Sequence, residues 1–217
     1  MSMVSIVNIK EELLNFLRNA DIISTTDRSV TTTTDEFDGD NIETVFTLTN
    51  SNAKNIRAVT VGGVAQSFGT DYTIDLDNAK VTFTVAPASG TDNVDIQYDY
   101  GNTDRIFPDF PDPYLKLNQF PRIAMELITG SSKDFAVGGG PIQSSYVLSI
   151  VCYDSDQDNV DAMIASIRSV MQANKKNFYY SPYLQIDVMS PIIPSPFGQN
   201  KIMQRSQDYR IEYICEG

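Results

Sequence analysis

The stretch Lys80–Tyr100, KVTFTVAPASGTDNVDIQYDY, decides how the middle of the chain folds. Polar and apolar residues alternate in each half of it, and the Pro87–Gly90 segment between the halves is typical of a turn. Successive side chains of a β-strand point to opposite faces, so this alternation places the apolar side chains of each half on one face. They are Val81, Phe83 and Val85, then Val94, Ile96, Tyr98 and Tyr100. The stretch therefore predicts two β-strands joined by a turn.

The same alternation continues through residues 27–103, which also differ in composition from the rest of the chain. This segment contains 14 Thr and one Pro, and it has no Met and no Cys. A Gly62-Gly63 pair between two apolar runs is a strong signal for a two-residue turn. Further strands are predicted at 43–49, 56–61, 64–67 and 72–74. Short strands separated by turns at this spacing predict an all-β domain, a small sandwich or barrel.

Residues before and after this segment show a mixed pattern of helices and strands. Asn8 and Glu11 resemble a capping box at the start of an amphipathic helix. A second helix is predicted by apolar residues at helical spacing, namely Val160, Met163, Ile164, Ile167, Val170 and Met171. Strands are predicted at 122–129, 145–153, 183–188 and 208–215, with a Gly/Ser-rich loop over 130–141. The order is thus helix, strand, strand, helix, strand, strand.

These patterns predict an α+β protein with two domains. The first helix is too short to be stable alone, so it is expected to pack on the C-terminal sheet. A discontinuous α-β-β-α-β-β core domain is therefore predicted for residues 1–26 and 104–217. Residues 27–103 are predicted to form an all-β sandwich or barrel domain inserted into it.

Charge and composition exclude several classes of function. The chain has 28 Asp+Glu, 16 Lys+Arg and no histidine, for a net charge of −12. Without histidine, Ser-His-Asp and Cys-His catalysis and His-based metal sites are excluded within the chain. A pI near 4.3 disfavours tight binding to phosphate backbones. Residues 27–103 contain twelve acidic and four basic residues, so their net charge is −8. The remaining residues of the chain carry a net charge of −4.

Cysteine content and hydropathy predict a soluble protein made in the cytoplasm. Cys152 and Cys215 are too few for a disulfide framework and are interpreted as core residues. No apolar run approaches the roughly 18 residues of a membrane span. The N-terminal region carries Lys10, Glu11 and Glu12 where a signal peptide needs an apolar block.

Two short motifs suggest ligand sites, but each lacks a feature that such a site requires. Asp154-x-Asp156-x-Asp158 resembles the start of a calcium loop, yet Asn159 and Ala165 stand where glycine and a bidentate acid are needed. These acids are instead predicted to cap the second helix. The Gly138–Gly140 run precedes a strand rather than a helix, unlike a phosphate-binding loop. No catalytic, cofactor or metal site is predicted, and the protein is expected not to be an enzyme.

Loop residues, most of them with apolar or aromatic side chains, are the candidates for contacts with a partner. They lie in two proline-rich segments and at the tip of the Gly/Ser-rich loop. Such residues often dock on a neighbouring subunit, although packing within the chain is an equal alternative. The candidates are Phe107, Phe110, Tyr114, Lys133, Asp134, Phe135, Ile192, Ile193 and Phe197.

Two parts of the chain resemble known viral proteins. The first resembles a small β module that recurs in structural proteins of tailed viruses, through the segments TVFTLT (44–49), VTVGGV (59–64), GTDYTI (69–74), VTFTVAPASG (81–90) and VDIQY (94–98). The order of helices and strands around this module is similar to that of tail terminator, or head-to-tail joining, proteins of tailed phages and archaeal tailed viruses.

The resemblance implies a structural protein of the virion neck, without catalytic residues or cofactors. Such proteins form a ring, expected here to be a hexamer, that caps the tail tube and joins it to the head connector. Its partners would be the tail tube protein, the connector or stopper protein, and viral DNA that passes through without sequence-specific binding. No membrane is involved. Alternatives are a capsid decoration, collar or baseplate subunit, or a carbohydrate-binding module or carboxylate-based glycosidase.

Overall fold

A computed structural model describes residues 6–108, 120–134, 142–181, 183–197 and 200–215. The fold is α+β, as predicted from the sequence. The chain divides into two compact units, unit 1 (Met1–Ile23 and Arg105–Gly217) and unit 2 (Ser24–Asp104).

The described part of the chain contains three helices and thirteen strands. In chain order they are α1 (Ile6–Asn19), α2 (Thr25–Arg28), β1 (Thr31–Gly39), β2 (Val45–Thr47), β3 (Ala53–Val61), β4 (Val64–Ala65), β5 (Tyr72–Asp75), β6 (Lys80–Phe83), β7 (Gly90–Tyr100), β8 (Ile106–Phe107), β9 (Arg122–Asp134), β10 (Ile142–Asp154), α3 (Gln157–Asn174), β11 (Leu184–Met189), β12 (Ile193–Phe197) and β13 (Asn200–Cys215).

Unit 1 is built on a six-stranded sheet in the order β11-β13-β10-β9-β8. The long strand β13 pairs with β11 near its C-terminal end and with β12 near its start, so these two short strands share one edge of the sheet. Strand β8 runs parallel to β9, and the other pairs are antiparallel. The sheet therefore has β11 and β12 at one edge and β8 and β9 at the other.

Helices α1 and α3 supply one side of the core of unit 1. Their apolar side chains pack with alternate residues of β9, β10 and β13, which share one face of the sheet. Cys152 lies in this core and is fully buried, as predicted for a small apolar residue. The buried side chains include Ile9, Leu13, Leu17, Ile123, Met125, Leu148, Ile150, Val160, Ile164, Ile167, Met171, Tyr209 and Ile211.

Unit 2 consists of two antiparallel sheets that share one core. The sheets have the orders β1-β7-β3-β4 and β2-β6-β5, and the described strands do not close a barrel. The predicted turn is present, since Gly62 and Gly63 both have positive φ, 57° and 77°, between β3 and β4. The core includes Phe46, Ile56, Val59, Tyr72, Ile74, Val81, Phe83, Val94, Ile96 and Tyr98.

Three predictions about local structure are wrong. Asn8 lies inside α1 rather than at its start, because the helix already begins at Ile6. The predicted loop over 130–141 does not start at Gly130, since β9 continues to Asp134. Gly130 belongs to β9, where it pairs with Tyr146 of β10, and the Tyr146 ring lies 2.8 Å from where a Cβ of residue 130 would stand.

The third error concerns residues around Ile192, which were predicted to lack regular structure. Ile193–Phe197 forms the strand β12 despite two prolines, Pro194 and Pro196. Proline is tolerated in an edge strand where its missing N–H faces away from the ladder. Strand β1 begins with four threonines and was not predicted. Its sequence lacks a clear alternation of apolar and polar residues.

Candidate interaction surface

The exposed apolar side chains of unit 1 lie close together in the chain. Among the residues described for this unit, every large hydrophobic side chain that is well exposed falls between residues 179 and 193. They are Tyr179 (52% exposed), Tyr183 (64%), Val188 (64%), Met189 (38%) and Ile193 (45%). We call these five residues the apolar edge, because most of them lie on or beside the edge strands β11 and β12.

Hydrogen bonds from β13 hold the apolar edge in place. The N–H of Ser206 donates to Ser190 Oγ at 2.9 Å, and the N–H of Ser190 donates to the carbonyl of Ser206 at 2.9 Å. Arg205 Nε donates to the carbonyl of Ser190 at 3.0 Å. The buried amide of Gln207 donates to the carbonyls of Asp187 and Val188, both at 3.2 Å. The connection between β11 and β12 is therefore fixed to the sheet, while its apolar side chains remain exposed.

Arg205 also connects this edge to helix α3. Its guanidinium forms a short ion pair with Asp161. On β11, Asp187 forms a second ion pair with Arg210 of β13, at 2.8 Å. Both pairs are partly exposed, so each adds little to stability and serves mainly to fix side-chain positions.

A buried carboxylate holds the start of the apolar edge against α1. Glu12 is 5% exposed and accepts hydrogen bonds from the N–H groups of Tyr179 and Tyr180. Burial raises the pKa of Glu12 from 4.5 to about 7, although the backbone hydrogen bonds from Tyr179 and Tyr180 oppose this shift. The segment after α3 is thus anchored by Glu12, and the Tyr179 ring is left exposed.

At the opposite edge of the sheet, the described strands cover only part of the outer side of β9. Strand β8 pairs with Ile123 and Ala124 only, and no other strand in the described residues pairs with the outer side of β9. A bulge opposite Val147 and Leu148 separates this free edge into two parts. Beyond the bulge, Thr129–Asp134 is a regular six-residue run, and no strand of the described ranges pairs with its outer side.

The predicted contact residues have different positions in the structure. Ile193 is exposed and belongs to the apolar edge, and Ile192 beside it is half-buried. Phe107 packs within unit 1, since the guanidinium of Arg122 lies 3.6 Å from the centre of its ring. Lys133 and Asp134 lie in β9, and Phe197 lies in β12. Phe110, Tyr114 and Phe135 fall outside the described residues.

Four residues of the apolar edge were missed as contact candidates. Tyr179 and Tyr183 were not among the predicted contact residues, yet both are more than half exposed. Val188 and Met189 end β11, and both side chains are exposed. Two adjacent apolar residues at the end of a strand cannot both face the core, and this signal was available in the sequence.

The acidic motif has the predicted capping role. Asp156 is the N-cap of α3 and accepts a hydrogen bond from the N–H of Asp158 at 2.9 Å. Asp154 accepts a hydrogen bond from the N–H of Asp156 at 3.1 Å. Across the described residues, no group of His, Cys, Asp and Glu side chains is arranged to hold a metal ion. The Gly138–Gly140 run lies outside those residues.

Unit 2 contains an open cavity of about 300 Å³ lined by Val61 at the end of β3, by Gln66, Thr70 and Asp71 between β4 and β5, and by residues 83–88 at and after the end of β6. Asp71 is the one carboxylate in its lining, and it accepts a hydrogen bond from the N–H of Ser67 at 2.8 Å. Hydrolysis of a glycosidic bond by carboxylates requires two such groups across the bond. The described lining therefore lacks the arrangement that glycosidase chemistry needs.

A buried network of charges joins the two ends of unit 2. Arg28 is fully buried and forms ion pairs with Asp99 at 3.3 Å and Asp104 at 3.0 Å. Its third partner is the side-chain oxygen of Asn55, at 2.7 Å, and Asp99 also pairs with Arg57 at 2.6 Å. Burial alone would raise the pKa of Asp99, but hydrogen bonds from Arg57, Thr32 and Asn55 keep it below its usual value. The network is balanced in charge and is best explained as structural.

No helix in the described residues is both long enough and apolar enough to cross a membrane. Comparison with protein-family models finds no match, and comparison with curated proteins finds no significant match.

Proposed function

We propose that the protein is a structural subunit of a tailed virus that forms a ring, expected to be a hexamer, at the junction of head and tail. The ring ends the tail tube, joins it to the head connector and leaves a conduit for DNA. The subunit has no catalytic activity in this role. The proposal rests on the resemblance of the sequence to tail terminator proteins and on the apolar edge.

The apolar edge is the observation that carries the proposal. Large exposed apolar side chains often mark sites of association, and those described for unit 1 all fall within residues 179–193. Tyr and Met, which are among them, are enriched at the centres of protein interfaces. The edge is held by Ser190, Arg205 and Gln207 of the same sheet. A surface that is already ordered loses little entropy when it binds, which favours stable assembly.

Charge supports passage of DNA without retention. The net charge of the chain is −12, and residues outside 27–103 contribute −4 of it. Binding to a phosphate backbone depends on Lys and Arg that neutralise phosphates and release counterions. A ring of acidic subunits therefore surrounds DNA without gripping it, as a conduit requires.

Native mass spectrometry of the purified full chain tests ring formation. Val188→Lys places a charge in the apolar edge, whereas Val64→Lys makes the same change in unit 2 at a valine of equal exposure, 64% against 65%. We expect rings from the wild type and from V64K, and assembly weakened about tenfold or more in V188K, because burying one valine contributes about 1.5–3 kcal/mol. A wild-type chain that stays monomeric at micromolar concentration contradicts the proposal.

Labelling of virus particles with an antibody against the chain tests its position. We expect label at the neck, between head and tail. Label spread over the capsid or confined to the far end of the tail would instead assign the protein to capsid decoration or to the baseplate.

A further inference from the structure

The free edge of β9 has a defined set of outward backbone groups, which have no strand partner in the part of the chain that the structure describes. Glu212 on β13 donates its N–H to the carbonyl of Tyr183 at 3.4 Å, so its backbone faces β11. Neighbouring residues of an antiparallel strand alternate between the two sides, which turns the backbone of Ile211 toward its partner Tyr146 on β10. The backbone of Ser145, one residue before Tyr146, then faces β9.

The same alternation identifies the outward groups of β9. Ser145 pairs with Ser131, so the N–H and carbonyl of Ser131 face β10. The N–H and carbonyl groups of Gly130, Ser132 and Asp134 therefore point away from the sheet. This edge carries three outward N–H groups in six residues beyond the bulge.

The opposite edge of the sheet is formed by β11, Leu184–Met189. Its pairing with β13 is regular over Leu184–Ile186 and shifts register before Met189. The backbone carbonyl of Tyr183 faces β13, where it accepts from the N–H of Glu212. By the same alternation, the backbone N–H and carbonyl groups of Leu184 and Ile186 point outward. Exposed Tyr183, Val188 and Met189 flank these groups, so that pairing along β11 also buries apolar surface.

We propose that Thr129–Asp134 of one subunit pairs, strand to strand, with β11 of the next subunit. A long unpaired edge is a template for another strand, and proteins seldom leave one open. Both edges belong to one sheet, so each copy of the chain offers the complement of its own free edge. A head-to-tail contact of this kind closes into a ring when the rotation permits. This inference rests on the proposed ring and names the contact that builds it.

Substitution of Ser132 tests the pairing. Ser132→Pro removes one outward N–H, and proline is tolerated in an edge strand whose N–H does not serve the ladder. Ser132→Ala keeps the N–H and is the matched control. Gly130 is unsuitable, because any Cβ there meets the ring of Tyr146. We expect rings from S132A, and monomers with unchanged circular dichroism from S132P.

Mixing two variants tests whether the contact joins opposite edges. S132P retains an intact β11, and V188K retains an intact free edge on β9. Each alone is expected to be monomeric, while an equimolar mixture is expected to give heterodimers by native mass spectrometry. A symmetric β9-to-β9 contact predicts instead that V188K assembles normally, which would overturn the inference.

Hydrogen exchange separates failure of this inference from failure of the proposed function. In wild-type rings, the outward amides of Gly130, Ser132 and Asp134 are expected to exchange at least tenfold more slowly than in V188K monomers. Rings that form without this protection, or that survive in S132P, refute the strand pairing and leave the neck-ring function intact. A wild type that never assembles refutes both.

Discussion

The substitution Glu12→Gln tests how the start of the apolar edge is held. Glu12 is buried, and burial raises its pKa from 4.5 to about 7. Glutamine keeps a side-chain oxygen that accepts from the N–H groups of Tyr179 and Tyr180, but it does not titrate. The variant therefore removes the pH dependence of this contact and retains most of its hydrogen bonding.

The magnitude follows from the pKa shift. Each pKa unit corresponds to about 1.4 kcal/mol, so a shift from 4.5 to about 7 gives at most about 3 kcal/mol. The folded state holds the proton up to about pH 7, whereas the unfolded state releases it near pH 4.5. Wild-type stability contributed by protonated Glu12 is thus fully present below pH 4.5 and is lost as the pH rises to about 7.

Urea unfolding between pH 4 and pH 8.5, followed by circular dichroism, measures the effect. The difference in unfolding free energy between wild type and E12Q is expected to shift by up to about 3 kcal/mol in favour of E12Q across this range. Glu11→Gln, at a half-buried neighbour, is the control and should shift much less. Parallel pH profiles for wild type and E12Q would refute the buried-carboxylate explanation.

Two further substitutions test the internal contacts of each unit. Arg28→Met leaves Asp99 and Asp104 buried without their shared cation. Unit 2 is therefore expected to lose about 3–5 kcal/mol of unfolding free energy, measured by urea unfolding. A loss below about 1 kcal/mol would show that the network is not structural. Asp156→Ala removes the N-cap of α3 and is expected to cost about 1 kcal/mol in the same assay, with Asp158→Ala as a comparison at a position that does not cap.

Periodicity in the sequence predicted those elements whose burial repeats regularly. The helical spacing from Val160 to Met171 located α3, and the alternation from Val94 to Tyr100 located β7. Strand β12 was missed because Pro194 and Pro196 oppose strand formation locally. It forms because pairing with β13 supplies a ladder that a local pattern does not reveal.

The candidate surface was predicted only in part, for a related reason. Ile193 was named from its loop-like surroundings and is exposed, yet Tyr183 and Val188 looked like ordinary strand residues. Their exposure depends on the position of β11 at the sheet edge, which is a property of the topology. The hydrogen bonds of Glu12 join residues 167 positions apart in the chain, so no sequence window contains both partners.

The ion pair between Arg28 and Asp104 has a consequence for how unit 2 is attached. It brings the two ends of the unit together, as does the pairing of Thr31 with Tyr100. A segment whose ends meet behaves, for the chain that carries it, as a closed loop, and the entropy of loop closure grows only slowly with loop length. A single insertion or deletion in the gene can therefore add unit 2, exchange it, or replace it by a short linker between Ile23 and Arg105. The core and the buried charges of the unit lie within it, so they are added or removed together.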